Sequence, residues 1–186
     1  VNTFVTTKIT FANMLARICE QLPGAQVDTV TSALGLDSRI GPKYLKGAIG
    51  YGGPCFPRDS VALATLGARI GAPVLLAEAT HKANLEEVPR LADLVTSMLP
   101  PSGVAGILGL AYKPNVDDVR ESPSFELIAR LRALGATVDY HDPLVRSTPK
   151  TRRYDMGMTS VPLNTESLGS YDCVLIATAH NSYEFQ

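Results

Sequence analysis

The sequence has little of what would place it in several common protein classes. Its 186 residues include 17 basic and 18 acidic side chains, which leave a net charge of −1 and no long run of one sign. Proteins that bind nucleic acids or membrane surfaces normally carry a basic patch, so the sequence predicts neither as a partner. No apolar stretch reaches the roughly 20 residues of a membrane-spanning helix, and residues 1–10 lack the basic and apolar regions of a signal peptide. We therefore expect a soluble, cytoplasmic protein.

Cysteine and histidine are scarce, with three of each. Cys19, Cys55 and Cys173 are an odd number at wide spacing, which fits neither a disulfide framework nor a zinc site. His81 and His180 have no patterned partners, so the sequence predicts no metal centre. Cys19 and Cys173 fall at apolar positions of a predicted helix and a predicted strand, where we expect them to belong to the core.

The first half of the chain has the periodicity of helices. Hydrophobic residues make up 45% of the sequence, enough for a sizeable core in one large or two small domains. Residues 37–59 are rich in glycine and proline and predict a long loop. Around this loop the apolar spacing predicts helices over Phe4–Leu22, over Asp28–Ala33 with Asp28 as the cap, over Ser60–Ile70, and over Pro73–Leu99 with a kink or break at Pro89.

The second half has the pattern of an α/β domain. The turn-forming stretch Pro100–Gly103 predicts a boundary. Beyond it we expect a helix over 124–134 and strands over 104–110, 137–140 and 173–178, with a further short strand near 159–161. Strand, helix and strand at this spacing predict a parallel sheet. The expected fold class is α+β overall: an all-helical domain over 1–100, followed by a Rossmann-like parallel α/β domain over 101–186.

Both ends of the sequence are abrupt. The chain starts at Val1, without methionine and inside a helical pattern, and stops at Gln186 just past a predicted strand. An open parallel sheet normally continues with further strands and helices. We therefore expect that sequence is missing at both ends and that the α/β domain is truncated.

Residues 50–59, Gly-Tyr-Gly-Gly-Pro-Cys-Phe-Pro-Arg-Asp, contain the best candidate for a catalytic group; we call them the cysteine segment. Cys55 precedes a predicted helix, whose unpaired N–H groups and dipole stabilise a thiolate, and Arg58 adds positive charge. The glycine cluster indicates positive φ angles or close approach to a ligand. The alternatives are a small buried apolar residue for Cys55 and a plain helix-start charge for Asp59.

Three segments, in order along the chain, resemble the UDP-glucose/GDP-mannose dehydrogenase family. They are residues 37–46 followed by the cysteine segment, residues 110–113 with 118–122, and residues 140–143. The similarity extends from Asn2 to Phe185. Members of this family oxidise the C6 alcohol of a nucleotide sugar twice with NAD. The resemblance favours UDP-glucose as the substrate, which would give UDP-glucuronate. A cysteine holds the carbon between the steps as a thiohemiacetal and then a thioester.

The resemblance implies a role for each matching residue. Cys55 is the expected nucleophile, Asp59 the group for proton transfer and the hydrolytic water, and Asn2 the amide that stabilises oxyanions. Without the family, Asn2 is an ordinary helix-start residue. Arg58 and Arg120 are implied in NAD binding. The implied substrate-binding residues are Tyr44, Leu45, Lys46, Gly52, Tyr112, Lys113 and Arg39, the last reaching a neighbouring subunit's substrate; for the charged ones, solvated surface charge is the alternative.

The match to the family is incomplete. The family's N-terminal NAD-binding domain and a catalytic lysine before Asn2 are absent, so we expect the chain alone to be inactive. Pro54, Ala48 and the run 179–182 depart from the usual pattern. They leave a UDP-N-acetyl sugar or GDP-mannose open as the substrate, and a catalytically silent module that binds a sugar nucleotide is a further alternative. The resemblance also implies a homodimer through the central helices.

Overall fold

The computed structural model describes residues 1–183. The chain divides into two units, Val1–Glu87 and Val88–Gln186. This division falls inside a helix rather than at the Pro100–Gly103 turn, so residues 88–100 group with the second unit. The assignment of 1–100 and 101–186 as separate functional domains stays a prediction.

Helices form the first unit, as predicted, and the structure has no strand within residues 1–87. A long loop over residues 36–55 separates the second and third of these helices. The helices are α1 Asn2–Glu20, α2 Val27–Gly35, α3 Phe56–Arg69 and α4 Leu75–Met98, the last continuing into the second unit.

Two features of these helices bear on the sequence-based expectation. The N-cap of α2 is Gln26 rather than Asp28, which lies in the first turn, where its charge complements the helix dipole. Helix α4 is one helix through Pro89, as the long apolar pattern predicted, so the break considered at this proline does not occur. Val88 and Ala92, on either side of the proline, belong to the core of the second unit. Their burial offsets the roughly 3 kcal/mol that a proline inside a helix costs.

Helix α1 turns its polar side inward. Thr6 and Asn13 are 0% and 4% exposed, whereas Phe4, Phe11 and Ile18 are 70%, 44% and 49% exposed. The apolar spacing predicted the helix correctly but not which of its faces is buried. The buried polar residues of α1 therefore indicate a functional site on this face of the helix.

A three-stranded parallel sheet forms the centre of the second unit. Its strands are β1 Val104–Leu108, β2 Thr137–His141 and β3 Cys173–Ile176, in the order β2-β1-β3. Helix α5, Pro123–Ala133, follows β1. The fully buried core includes Ile107, Leu110, Leu127, Ile128, Leu131 and Tyr140. Helices followed by a parallel α/β unit confirm the predicted α+β fold class.

The connection between β2 and β3 was predicted incorrectly. Instead of a strand near 159–161, the structure has one isolated antiparallel bridge between Ser147 and Thr159. A short helix, α6 over Thr165–Gly169, was missed; Asn164 and Ser167 stabilise its start in a reciprocal capping box. No helix within residues 1–183 is long and apolar enough to cross a membrane.

Candidate functional site

Cys55 lies where the sequence predicts it, at the start of a helix. It is the N-cap residue of α3, and Pro57 lies in the first turn. The residue is exposed, which excludes the role of a buried apolar filler. Backbone N–H groups at a helix start favour negative charge. The thiol of Cys55 therefore lies at a helix start where a ligand can reach it.

Asn2 and Asp59 contact each other although 57 residues separate them. Nδ2 of Asn2 donates a hydrogen bond to Oδ2 of Asp59 at 2.7 Å, and Nη2 of Arg58 lies 2.8 Å from the other carboxylate oxygen. The hydrogen bond from Asn2, and then that from Arg58, holds the pKa of Asp59 below its ordinary value. The backbone N–H of Asp59 donates to the carbonyl of Cys55 at 2.8 Å. All three predicted catalytic residues thus lie where α1 meets the first turn of α3, beside an ionised carboxylate.

The other two arginines singled out from the sequence share one local motif, an aspartate two residues earlier. Arg39 binds both carboxylate oxygens of Asp37, with Nη2 and Oδ2 2.6 Å apart. Arg120 binds Asp118 in the same manner at 2.7 Å. The arginine hydrogen bonds lower the pKa of each aspartate. Such exposed pairs add little stability, but they fix the direction in which each guanidinium points.

The loop over residues 36–55 carries several of the residues predicted to bind the substrate. Tyr44 has a φ of +64°, and its half-exposed ring lies edge-on against Phe56 at 6.4 Å between centroids. Lys46 is exposed and Gly52 is buried. Leu45 is only 7% exposed, so its side chain packs inside the unit. Only the backbone of Leu45 is left to face a ligand.

Two asparagines that sequence reasoning did not single out contact this loop. Oδ1 of Asn13 accepts the backbone N–H of Ala48 at 2.8 Å. The side-chain amide of Asn84 pairs with both backbone groups of Tyr51, at 2.8 Å and 3.1 Å. A polar residue on the inward face of a helix signals such a role, but the sequence does not show which face of α1 is inward.

In the second unit, Tyr112 and Lys113 follow the carboxyl end of the central strand β1. Nζ of Lys113 lies 5.5 Å from the centre of the Tyr112 ring. The backbone N–H of Tyr112 donates to the carbonyl of Asp118 at 3.1 Å. Ligands of open parallel sheets bind at the carboxyl ends of the strands. The predicted aromatic–lysine pair lies at that end.

Asp142, directly after β2, organises this end of the sheet. The sequence indicated only a turn here, and Oδ1 does accept the turn N–H groups of Leu144 and Val145 at 2.8 Å and 3.0 Å. Oδ2 accepts the N–H groups of Leu110 and Ala111 at 2.6 Å and 3.2 Å. Burial alone would raise the pKa of Asp142, but the hydrogen bonds from the N–H groups of Leu110, Leu144 and Ala111, with a smaller contribution from His180, outweigh it and the pKa is lowered. The carboxylate therefore joins the turn after β2 to the loop that begins at Leu110.

His180 adds a second connection to the same loop. Its Nδ1 accepts the backbone N–H of Asn115 at 3.0 Å, so the ring proton of the neutral form lies on Nε2. Nε2 is 3.2 Å from Oδ2 of Asp142, to which it donates. Both ring nitrogens are thus used inside the protein. Within residues 1–183 no group of three or more His, Cys, Asp or Glu side chains could hold a metal ion.

A groove of about 290 Å³ runs between α1 and α4 in the first unit. Polar pairs join the two helices, including Thr7 with Thr80 at 3.4 Å and Nε of Arg17 with Oε2 of Glu87 at 3.0 Å. The groove is open and mainly apolar on its sides, where Phe11, Met14, Leu76 and Ala83 lie.

Comparison with known protein families gives two adjoining matches. Residues 1–86 match the central domain of the UDP-glucose/GDP-mannose dehydrogenase family. Residues 106–186 match the UDP binding domain of the same family. Together the two matches include every residue that the sequence analysis proposed for catalysis or binding.

Individual relatives agree with the family match. The chain is 45% identical over 145 residues to UDP-glucose 6-dehydrogenase TuaD of Bacillus subtilis, a match that covers 77% of this chain and 31% of that protein. It is 35% identical to UDP-glucose 6-dehydrogenase of Rhizobium meliloti, covering 98% of this chain and 42% of the relative. A UDP-glucose dehydrogenase structure from Pyrobaculum islandicum superposes with a TM-score of 0.83 at 34% identity, over 100% of this chain and 44% of the other. The chain thus spans less than half the length of these relatives.

Proposed function

Because this chain belongs to the UDP-glucose/GDP-mannose dehydrogenase family, we propose that it supplies the catalytic cysteine of an NAD-dependent UDP-glucose 6-dehydrogenase. The product is UDP-glucuronate. One observation carries the proposal: Asn2 and Asp59 are hydrogen-bonded at 2.7 Å, one helical turn from the exposed Cys55 at the start of α3. An amide, a carboxylate and a thiol at one place are the groups that oxidation through a thioester needs.

The thiol acts as the covalent carrier. Cys55 attacks the C6 aldehyde to form a thiohemiacetal, and oxidation of that adduct leaves C6 as a thioester. Water then attacks the thioester carbonyl, the C–S bond breaks, and the acid leaves with the thiolate restored. When bound, NAD supplies the hydride acceptor for both oxidations. The exposed position of Cys55 allows the sugar carbon to reach the sulfur.

Asp59 and Asn2 support the charged intermediates. Since the pKa of Asp59 is lowered, its carboxylate is ionised at neutral pH and accepts hydrogen bonds, which suits it to orient the hydrolytic water. One N–H of the Asn2 amide is used by Asp59. The amide has a second N–H, which is available to an oxyanion on the carbon bound to Cys55.

The second unit provides contacts for the nucleotide. Tyr112 and Lys113 stand at the carboxyl end of β1, and the ammonium group of Lys113 suits a diphosphate. In the first unit, Tyr44, Lys46, Gly52 and the backbone of Leu45 are proposed to contact the sugar nucleotide. Arg39 is proposed to reach the substrate bound to a partner subunit; its side chain is 85% exposed, as that role requires.

The described residues fit only part of an NAD site. Arg58 and Arg120 have side chains that are 68% and 69% exposed, and their cationic groups suit the diphosphate or ribose. Gly106 in β1 and Gly109 directly after it form no phosphate cradle, because the chain itself fills the space beside them. A Cβ on Gly106 would lie 2.6 Å from the Tyr171 ring, and one on Gly109 would lie 2.3 Å from the Thr178 carbonyl. We therefore assign Arg58 and Arg120, and not these glycines, to the cofactor.

We also propose a homodimer that acts in the cytoplasm. The outward apolar face of α1 and the groove beside α4 leave Phe11 and Met14 44% and 45% exposed, which is expensive unless a second copy covers them. Cys19, Cys55 and Cys173 are all unpaired, as is usual in a reducing compartment.

Alkylation of the 186-residue chain tests the nucleophile. With a limiting amount of iodoacetamide, we expect Cys55 to be modified before the partly buried Cys19 and Cys173, as followed by peptide mass spectrometry. UDP-glucose should slow modification of Cys55 in a full-length enzyme that contains this segment. Equal labelling of the three thiols would sink the assignment. NADH formation by the same enzyme with a panel of nucleotide sugars decides between UDP-glucose, UDP-N-acetyl sugars and GDP-mannose, and no turnover with any of them would favour a silent binding module.

A further inference from the structure

We infer that Asn84, assisted by Asn13, is a positioning residue that sets the cysteine segment for catalysis; the inference rests on the proposed function. Neither asparagine contacts Cys55. Both contact backbone atoms of the chain leading to it, Asn13 at Ala48 and Asn84 at Tyr51. Helices α1 and α4 thus each hold one point of the loop.

The side-chain amide of Asn84 pairs with the backbone of Tyr51 as the backbone of a neighbouring β-strand would. Its Oδ1 accepts the N–H of Tyr51 at 2.8 Å, and its Nδ2 donates to the carbonyl of Tyr51 at 3.1 Å. A side-chain amide carries the same donor and acceptor pair as a peptide group. Because Tyr51 is only 4% exposed, both backbone groups would be buried without a partner if Asn84 were absent.

Gly50 is adapted to this contact. Its φ is +103°, and a Cβ built there would lie 2.8 Å from Oδ1 of Asn84. No larger residue allows the amide to approach so closely. The two residues therefore act together: Gly50 leaves the space that the side chain of Asn84 occupies.

The ring of Phe56 connects Tyr51 to the thiol-bearing residue Cys55. Tyr51 lies edge-on against Phe56, with centroids 6.2 Å apart and planes at 84°. Tyr44 meets the same ring from another direction at 6.4 Å. Phe56 is the first residue of α3 and directly follows Cys55. Displacement of Tyr51 would therefore move both the nucleophile and a proposed substrate contact.

Asn13 makes the second anchor from the helix that also carries the catalytic amide. Asn13 is 4% exposed and lies three helical turns after Asn2, so both project from one side of α1. Oδ1 of Asn13 holds the N–H of Ala48 at 2.8 Å. Asn2 and the loop are thereby fixed relative to the same rigid element, which preorganises the site.

The test compares Asn84→Leu and Asn84→Asp with Arg17→Met. The first removes both hydrogen bonds, and the second keeps the acceptor for the Tyr51 N–H but loses the donor. The control removes an ion pair between the same two helices, with Glu87, and has no hydrogen bond to the loop. Retained helix content by circular dichroism shows that each variant folds; if Asn84→Leu does not, Asn84→Asp is decisive.

Two measurements decide the outcome. In the 186-residue chain, Asn84→Leu should speed hydrogen exchange of the Tyr51 amide about tenfold relative to amides within α1 and α3, and Arg17→Met should not. In a full-length enzyme that contains this segment, Asn84→Leu should lower kcat about 10- to 100-fold, with a smaller change in KM. Asn84→Asp should fall between. Unchanged Tyr51 exchange, or a kcat equal to that of the control, would overturn the inference.

The inference and the proposed function can fail separately. An enzyme without turnover on any nucleotide sugar contradicts the proposed function, whereas the exchange rates still report whether Asn84 anchors the loop. Active enzyme with accelerated exchange but unaltered kcat contradicts the positioning role alone.

Discussion

The side-chain amide of Asn2 donates a hydrogen bond to the carboxylate of Asp59 at 2.7 Å. The bond joins the first residue of α1 to the first turn of α3. It uses one donor of the amide and keeps the carboxylate ionised. Asparagine and aspartate therefore form one unit beside Cys55, and a change in one alters the other.

Replacement of Asp59 by asparagine should slow thioester hydrolysis. The variant keeps the shape of the side chain but loses the charge that orients water, and a loss of about 100-fold is typical of such a group. Mass spectrometry of a full-length enzyme quenched during turnover should show an acyl adduct on Cys55. Asp28→Asn is the matched control, since Asp28 also lies in the first turn of a helix. Equal rates for the two variants would count against the proposed role.

Replacement of Gly50 by alanine should destabilise the first unit more than the same change at Gly24. Both glycines have positive φ, +103° and +79°, but only at Gly50 would the added Cβ lie within 4 Å of other atoms, the nearest being Oδ1 of Asn84 at 2.8 Å. Strain alone costs about 1 kcal/mol at Gly24, and the close contact should raise the loss at Gly50 to about 2–3 kcal/mol. Urea unfolding measures both; equal losses would show that the approach of Asn84 is not required.

Asp142→Asn should lower the free energy of unfolding of the second unit by about 2–3 kcal/mol, because an amide cannot accept from N–H groups on both of its ends. Asp155→Asn, at an exposed surface pair, should change it by less than about 0.5 kcal/mol. Urea unfolding at neutral pH provides the comparison.

The same carboxylate gives a pH dependence. The pKa of Asp142 is lower in the folded protein than its ordinary value of about 3.9 in the unfolded chain. Its contribution is therefore fully present above about pH 4 and is lost as the pH falls through the folded-state value. Wild type should lose stability in this acid range more steeply than Asp142→Asn, and parallel curves would contradict the assignment.

The neutral ring of His180 should be the tautomer with its proton on Nε2, because Nδ1 accepts from the N–H of Asn115. Nitrogen-detected NMR of the ring distinguishes the two tautomers directly. His180→Ala should free the loop that carries Tyr112 and Lys113 and weaken UDP binding about tenfold, the equivalent of one lost hydrogen bond to a charged group. His81→Ala, in the first unit, should bind UDP like wild type. An Nδ1-protonated ring would refute the assigned hydrogen bonds.

Phe11→Glu should yield a monomer if the outward face of α1 forms the dimer interface. In the dimer, the second copy would bury the introduced carboxylate away from water and without a partner, which disfavours association. Sedimentation velocity at several concentrations measures the mass. Leu168→Glu, at a residue 40% exposed on α6, is the control and should leave the mass unchanged. A dimer that survives Phe11→Glu would place the interface elsewhere.

The sequence predicted the elements that periodicity and turn residues encode. The long helices and the three strands have strong apolar patterns, and the glycines before Cys55 indicated the loop, although α3 begins at Phe56, four residues before its predicted start at Ser60. The short α6 was missed because five residues are too few for a periodic signal. The strand expected near 159–161 is not formed, because that segment makes only one isolated β-bridge, between Thr159 and Ser147.

The site was only partly predictable for a related reason. Cys55 and Asp59 are close in sequence, so their proximity follows from one helix start. Asn84, Asn13 and Asp142 act on backbone atoms about 30 residues away along the chain. Such contacts depend on which helix face is buried and which strand ends meet, and tertiary packing decides both.

Helix α1 constrains how this protein can change during evolution. Its outer side chains can vary as long as any partner surface varies with them, whereas its length between Asn2 and Asn13 is fixed by contacts at both ends. Insertion of a single residue between them would rotate one asparagine by about 100° relative to the other. Such an insertion would release either the amide beside Asp59 or the anchor at Ala48, so we expect natural length variation to occur in the loops and not in this helix.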